Sequence, residues 1–132
     1  MGTIYLVNKD NAAQSAIRIG KRSITQDIMG EYYQSYLMNF ALGGAFNSRI
    51  NLNLREDKGY TYGAGSYFSA DKLAGTYTAY AEVRADATDK SIVEFVKEIK
   101  GYAADGITDE ELSFMRNAIN QKDALKYETP RA

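Results

Sequence analysis

"NFALGGAFNSRINLNLREDKGYTYGAGS", residues 39–66, joins two helical patterns to a strand and so decides the fold. Just upstream, Tyr33 and Leu37 fall on one helical face with Phe40 and Ala41, which predicts a helix over residues 31–42. Gly43 or Gly44 is the natural residue to end it, because glycine enters left-handed conformations at little cost. Phe46, Ile50 and Leu54 then recur at i, i+4 and i+8, so a second helix is predicted over residues 45–58. Gly59 stops that helix. The next stretch, YTYGAGSYFS over residues 60–69, reads as a strand.

Working outward, residues 3–7 (TIYLV) are rich in β-formers, and Asn8-Lys9-Asp10-Asn11 reads as a turn. Ser15, Ile17 and Ile19 alternate with Ala16 and Arg18, predicting a second strand, and residues 21–30 read as a loop. Downstream, residues 71–75 form a turn. Tyr77, Ala79, Ala81 and Val83 then alternate with polar neighbours, which completes an antiparallel hairpin with one apolar face. Thr88 is positioned to cap a helix whose apolar face is Ile92, Val96, Ile99 and Ala103. Thr108-Asp109-Glu110-Glu111 is a capping box ahead of a last helix striped by Leu112, Met115 and Ile119. The order is β-β-α-α-β-β-α-α. Strands and helices come in blocks, so the predicted class is α+β, an antiparallel-rich sheet with helices packed on one face. A chain of 132 residues suits a single domain, residues 1–132. Its last predicted helix runs almost to Pro130, as it would in an excised piece of a longer protein.

Composition narrows the chemistry. Net charge is −1 with both signs mixed, which argues against nucleic acid as a partner, since a phosphate backbone calls for a concentrated basic face. No apolar run is long enough to span a membrane, and no charged-then-apolar leader opens the chain. Histidine and cysteine are both absent. Ser-His-Asp, Cys-His and H-x-x-E-H mechanisms therefore cannot be built from this polypeptide alone. No catalytic residue and no metal ligand set is expected in it. Compartment is left open, because a chain without cysteine suits reducing and oxidising surroundings alike.

Several stretches invite a functional reading. Gly43-Gly44 ahead of a helix resembles a phosphate loop, but a helix precedes it and no Lys-Ser/Thr follows, so a helix–helix turn is expected. Glu56-Asp57 sits beside Arg55 and Lys58, and solvated charge explains it. Asp109, Glu110 and Glu111 are accounted for by the capping box. Tyrosines 60, 62, 67, 77 and 80 crowd the hairpin, where cross-strand pairing explains most of them. Gly63 and Gly65 weaken a strand, so they predict a bulge or the close approach of another backbone, an extended peptide being one candidate. Arg55 either complements its helix dipole or offers a fork of donors to a carbonyl or carboxylate. Tyr62 follows seven residues later across the Gly59 turn, so the two could aim at one point.

This stretch, with its Gly-Gly, Ser48-Arg49, Leu54-Arg55-Glu56 and Gly59-x-x-Tyr62, resembles the C-terminal, non-catalytic domain of insulinase/pitrilysin-type zinc peptidases. These include mitochondrial processing peptidases and bacterial proteins of zinc-protease type. The likeness continues through the hairpin, ITDEELSFMRNAI (107–119) and YETP (127–130). In that family two similar halves close around a peptide, and one carries an inverted H-x-x-E-H zinc site. The resemblance implies that this chain is the other half and that its partners are a peptide substrate and a zinc-bearing domain, in cis or on another subunit. It implies zinc in that partner and none here. It also implies that Arg55 and Tyr62 contact the substrate backbone near the scissile bond. Relatives that have lost proteolysis and serve as scaffolds imply an alternative, a binding or assembly module. An independent carboxylate hydrolase is disfavoured, because no convergent acidic pair stands out. Half-molecules of the family are typically longer, which implies that this is the first part of such a C-terminal domain.

Overall fold

In the computed structural model, which describes residues 2–27 and 30–126, three antiparallel strands form one sheet in the order β1-β3-β2. Strand β1 is Gln14–Ser23, β2 is Thr61–Ala70 and β3 is Gly75–Arg84. Between β1 and β2 lie helix α1 (Glu31–Asn39), which continues as a wider π-helical turn over Phe40–Gly44, and helix α2 (Arg49–Asn51), which continues likewise over Leu52–Asp57. A 3-10 turn (Ala85–Ala87) leads from β3 into α3 (Thr88–Asp105) and α4 (Asp109–Lys126). The α+β class and the antiparallel sheet with helices on one face are as predicted.

The alternation in β3 is what separates the faces. Ala79, Ala81 and Val83 point inward and are fully buried, while Tyr80, Glu82 and Arg84 face out. The inward face meets Ile17 from β1, Ile50 and Leu54 from the α2 segment, and Phe95 and Tyr102 from α3. Ile50, Leu54, Val83 and Phe95 are closed off from solvent, and each such side chain stabilises the fold by about 1.5–3 kcal/mol relative to exposure. Leu54→Ala would leave a cavity in this core and cost about 2–5 kcal/mol. The hairpin turn is held by the Asp71 carboxylate, which accepts from Leu73 N and Ala74 N, each at 2.8 Å. Those two amides hold its carboxyl below the usual range.

The Gly-Gly motif is a packing device and not the left-handed helix stop expected of it, since neither glycine takes a positive φ. The carbonyl of Gly43 lies so close to β2 that a Cβ on Gly65 would stand 2.7 Å from it. Conversely, a Cβ on Gly43 would stand 2.1 Å from Ser66 Oγ. The backbone approaching Gly65 is therefore the chain's own. Gly59 takes a φ of 64°, the left-handed turn from helix to strand.

Several expectations are corrected: β1 runs on to Ser23, into the expected loop, and Tyr33 is exposed while Ser35 and Asn39 are the buried residues of α1. Residues 3–7 do not pair in the sheet: Ile4, Tyr5, Leu6 and Val7 are exposed, because β propensity gives no strand without a neighbouring edge to bond. The second helix starts at Arg49 rather than residue 45. Phe46 sits in the turn before it and is 66% exposed, so it is not part of the Ile50–Leu54 stripe. In α3 the buried residues are Ser91, Phe95 and Tyr102, while Ile92 and Val96 face out and Ile99 is partly buried. Phe95 and Tyr102 present the larger buried bodies, and the sheet accepts that face. Thr88 does not cap α3; its hydroxyl lies 2.8 Å from both Ser15 Oγ and Ala85 O. The start of α1 is instead capped by Asp27, whose carboxylate accepts from Gly30 N, Glu31 N and Tyr32 N. The capping box at α4 is present, with Thr108 N to Glu111 Oε2 at 2.9 Å and Glu111 N to Thr108 Oγ1 at 3.2 Å. Pro130 and YETP lie outside the described residues.

Candidate functional site

Arg55 sits in the π-helical turn that ends the α2 segment. Its guanidinium lies over the Phe46 ring, 4.5 Å from the centroid, and pairs with the neighbouring Glu56 through Nη1. Nε and Nη2 donate to no described residue. The exposed adjacent ion pair contributes little, so most of the fork is available.

Tyr62 is 91% exposed at the beginning of β2. The register of β2 on β3 passes from Thr61↔Val83 to Ala64↔Ala81, so three steps on one strand meet two on the other. That is a β-bulge, and Tyr62 and Gly63 are the unpaired residues. The Thr61 hydroxyl fixes it: it shares its proton between Glu82 O (2.6 Å) and Gly63 O (2.9 Å) and accepts from Gly63 N (3.1 Å). Four other hairpin aromatics pair, Tyr67 with Tyr80 at 5.8 Å and Phe68 with Tyr77 at 5.0 Å between centroids, while Tyr60 packs against the core. Tyr62 has no ring or hydrogen-bond partner among the described residues. Gly63 therefore serves the bulge and Gly65 the close approach.

Arg55 and Tyr62 flank one turn, Tyr62 exposed and Arg55 partly so, and they share no hydrogen bond or ring contact. Between their segments lies a buried side chain that the residue pattern did not single out. Asn51, 3% exposed, accepts from Ala64 N at 2.9 Å and donates to Phe46 O at 2.7 Å. A cavity of about 310 Å³ lies beside this corner, lined by residues 43–46, Asn51, Gly63, Ala64 and Tyr80. The available signal was Asn itself. It is a weak helix former, yet it recurs at 39, 51 and 53 in helical segments. Asn39 donates to Ser66 O at 2.7 Å, and Asn53 donates to Glu94 and Glu98.

The remaining acidic candidates are structural. Asp57 pairs with Lys58 at 2.8 Å, which lowers its carboxyl. Glu111 takes Arg49 in a two-pronged pair, Nε to Oε1 at 2.5 Å and Nη2 to Oε2 at 2.8 Å. Arg49 depresses the Glu111 carboxyl chiefly through these bonds. Gly43-Gly44 ends a helix and holds no phosphate-type loop. Among the described residues no three of His, Cys, Asp and Glu converge as metal ligands.

The profile of the peptidase M16 inactive domain matches residues 2–119. The chain belongs to this family. It is 30% identical over 119 residues to an uncharacterized zinc protease of Rickettsia bellii, covering 90% of this chain and 28% of that protein. It is 25% identical over 116 residues to the non-peptidase homolog YmxG of Helicobacter pylori, covering 88% of this chain and 27% of that protein. The chain thus spans a little over a quarter of the length of these relatives. Among solved structures, the peptidase M16 inactive domain from Pseudomonas fluorescens superposes with a TM-score of 0.79 at 24% identity, over 86% of this chain and 27% of that one. That likeness concerns the fold. No helix of the described residues is long and apolar enough to cross a membrane.

Proposed function

We propose that this M16 inactive-domain chain is the substrate-binding, non-catalytic part of a zinc metalloendopeptidase, meeting the peptide backbone through Arg55 and Tyr62. The observation that carries the reading is the pair itself: a partly exposed arginine with Nε and Nη2 unused, and across one turn an exposed tyrosine with no partner among the described residues. Arg55 donates to a backbone carbonyl at a fixed angle. The Tyr62 hydroxyl donates to a carbonyl oxygen and gains strength as charge gathers there. The chain has no histidine or cysteine and no acidic cluster converges among the described residues, so this reading gives the metal and the water it activates to a zinc-bearing half, in cis or on another subunit. The chain forms the first part of the C-terminal half of that longer protein, in keeping with its share of its relatives' length.

The test uses the full-length protein with zinc and fluorescein-labelled casein. Arg55→Ala should lower kcat/KM by about 10- to 100-fold, the loss of one charge-assisted contact. Tyr62→Phe should lower kcat more than it raises KM. Wild-type kinetics in both variants removes the reading.

The relative described as a non-peptidase homolog supports a second reading, a proteolytically inactive scaffold that binds a polypeptide without cutting it. Casein bound but left intact by the zinc-loaded full-length protein selects that reading. Zinc-dependent cleavage ends it.

A further inference from the structure

In the order β1-β3-β2, β2 is an edge strand, and its outer side is not left bare. On β2, backbone groups not used by β3 are answered by side chains of the helical segments: Ala64 N by Asn51, Ser66 O by Asn39, and Phe68 O by the Tyr32 hydroxyl at 3.4 Å. Asn39 and Asn51 are both buried, and both bond the same strand two residues apart. They differ in what their second bond holds. Asn39 Oδ1 accepts from Ser66 Oγ and stays within the α1–β2 contact. Asn51 Nδ2 reaches the carbonyl of Phe46, whose ring is 66% exposed and carries the Arg55 guanidinium. Its Oδ1 meanwhile holds Ala64 N, the first paired residue after the bulge that presents Tyr62. Arg55 itself lies one turn further along the helical segment that carries Asn51.

We infer that Asn51 is a positioning residue that sets the spacing between the Phe46–Arg55 stack and the Tyr62 bulge, with Phe46 as the platform that orients Arg55. This rests on the reading of Arg55 and Tyr62 as the peptide-binding pair. The physical reason is over-determination. A buried amide donates on one side and accepts on the other, so neither the Phe46 turn nor the bulge can shift without breaking a bond in a low-dielectric site. An exposed phenylalanine costs solvation and earns no core packing. Its function here is to hold a guanidinium whose two remaining donor positions then point in a fixed direction.

The experiment measures fluorescein-labelled casein binding to the full-length protein by anisotropy, at a temperature where circular dichroism shows each variant folded. Asn51→Asp keeps the acceptor for Ala64 N and loses the donor to Phe46 O. It should weaken casein binding by about 5- to 10-fold, because the pair is misplaced rather than removed. Asn39→Asp loses a comparable bond to Ser66 O and should leave binding unchanged. In an Arg55→Ala background the Asn51→Asp effect should shrink towards nothing. Phe46→Leu, at an exposed position that does not endanger folding, serves if Asn51→Asp fails to fold. It should weaken binding by about 3-fold with Arg55 present and not at all without it. Equal effects of Asn39→Asp and Asn51→Asp, or full additivity with Arg55→Ala, overturn the inference. If Arg55→Ala itself leaves binding and kinetics unchanged, the parent reading fails instead, so the two failures are told apart.

Discussion

Arg49 and Arg55 stand six residues apart on one helical segment, and the fold uses them in opposite ways. Arg49 is surrounded. Its Nε and Nη2 meet both oxygens of Glu111, Nη2 also reaches Gly106 O at 2.9 Å, and its guanidinium lies 4.7 Å from the centre of the Tyr102 ring. It thereby ties the α2 segment to α3 and to the capping box of α4. Arg55 has one ring beneath it and one adjacent, exposed carboxylate. The same side chain is a rivet where its donors are saturated and a free fork where they are not. That difference, and not the residue type, is what makes Arg55 the candidate.

The largest effect expected from this contrast is on folding. Arg49→Met keeps an apolar body against Tyr102 but strands the Glu111 carboxylate and the Gly106 carbonyl. The loss should be about 2–3 kcal/mol, read from urea unfolding. Wild-type stability in that variant would break the comparison outright. A smaller, pH-dependent effect sharpens it. Glu111 is held below its ordinary value of 4.5, chiefly by its bonds to Arg49. Its contribution is therefore fully present above that ordinary value and drains away as pH falls through the lower folded-state value. The stability gap between wild type and Arg49→Met should narrow in that acidic window and be constant from pH 6 to 8. The smallest effect is that of Arg55→Ala on folding, within about 0.5 kcal/mol, even as it impairs the peptide kinetics. A large loss of stability there would make Arg55 a second rivet and end its functional reading.

The corner was legible in the sequence because its signals are local. Gly59 must take a left-handed turn, the alternation in residues 76–84 must separate two faces, and Thr108 with Glu111 can satisfy each other within one helical turn. These are consequences of chain geometry over a few residues. Arg55 and Tyr62 were legible as candidates for the same reason, through their fixed spacing around the turn.

What the sequence by itself determined, then, is the class, the hairpin, the stop at Gly59 and the exclusion of histidine and cysteine chemistry. Only the tertiary structure decided the rest. It left residues 3–7 outside the sheet, chose the Phe95–Tyr102 face of α3 over the Ile92–Val96 face, and placed Phe46 under Arg55 rather than in the core. It also gave the two arginines their different partners, and Asn51 its place between the Phe46 turn and the bulge. Apolar periodicity says that a face will be buried but not which of two faces the sheet will accept, because that is settled by shape and by partners distant in sequence. A buried asparagine looks the same in sequence as an exposed one until the carbonyl and amide it joins have been brought together.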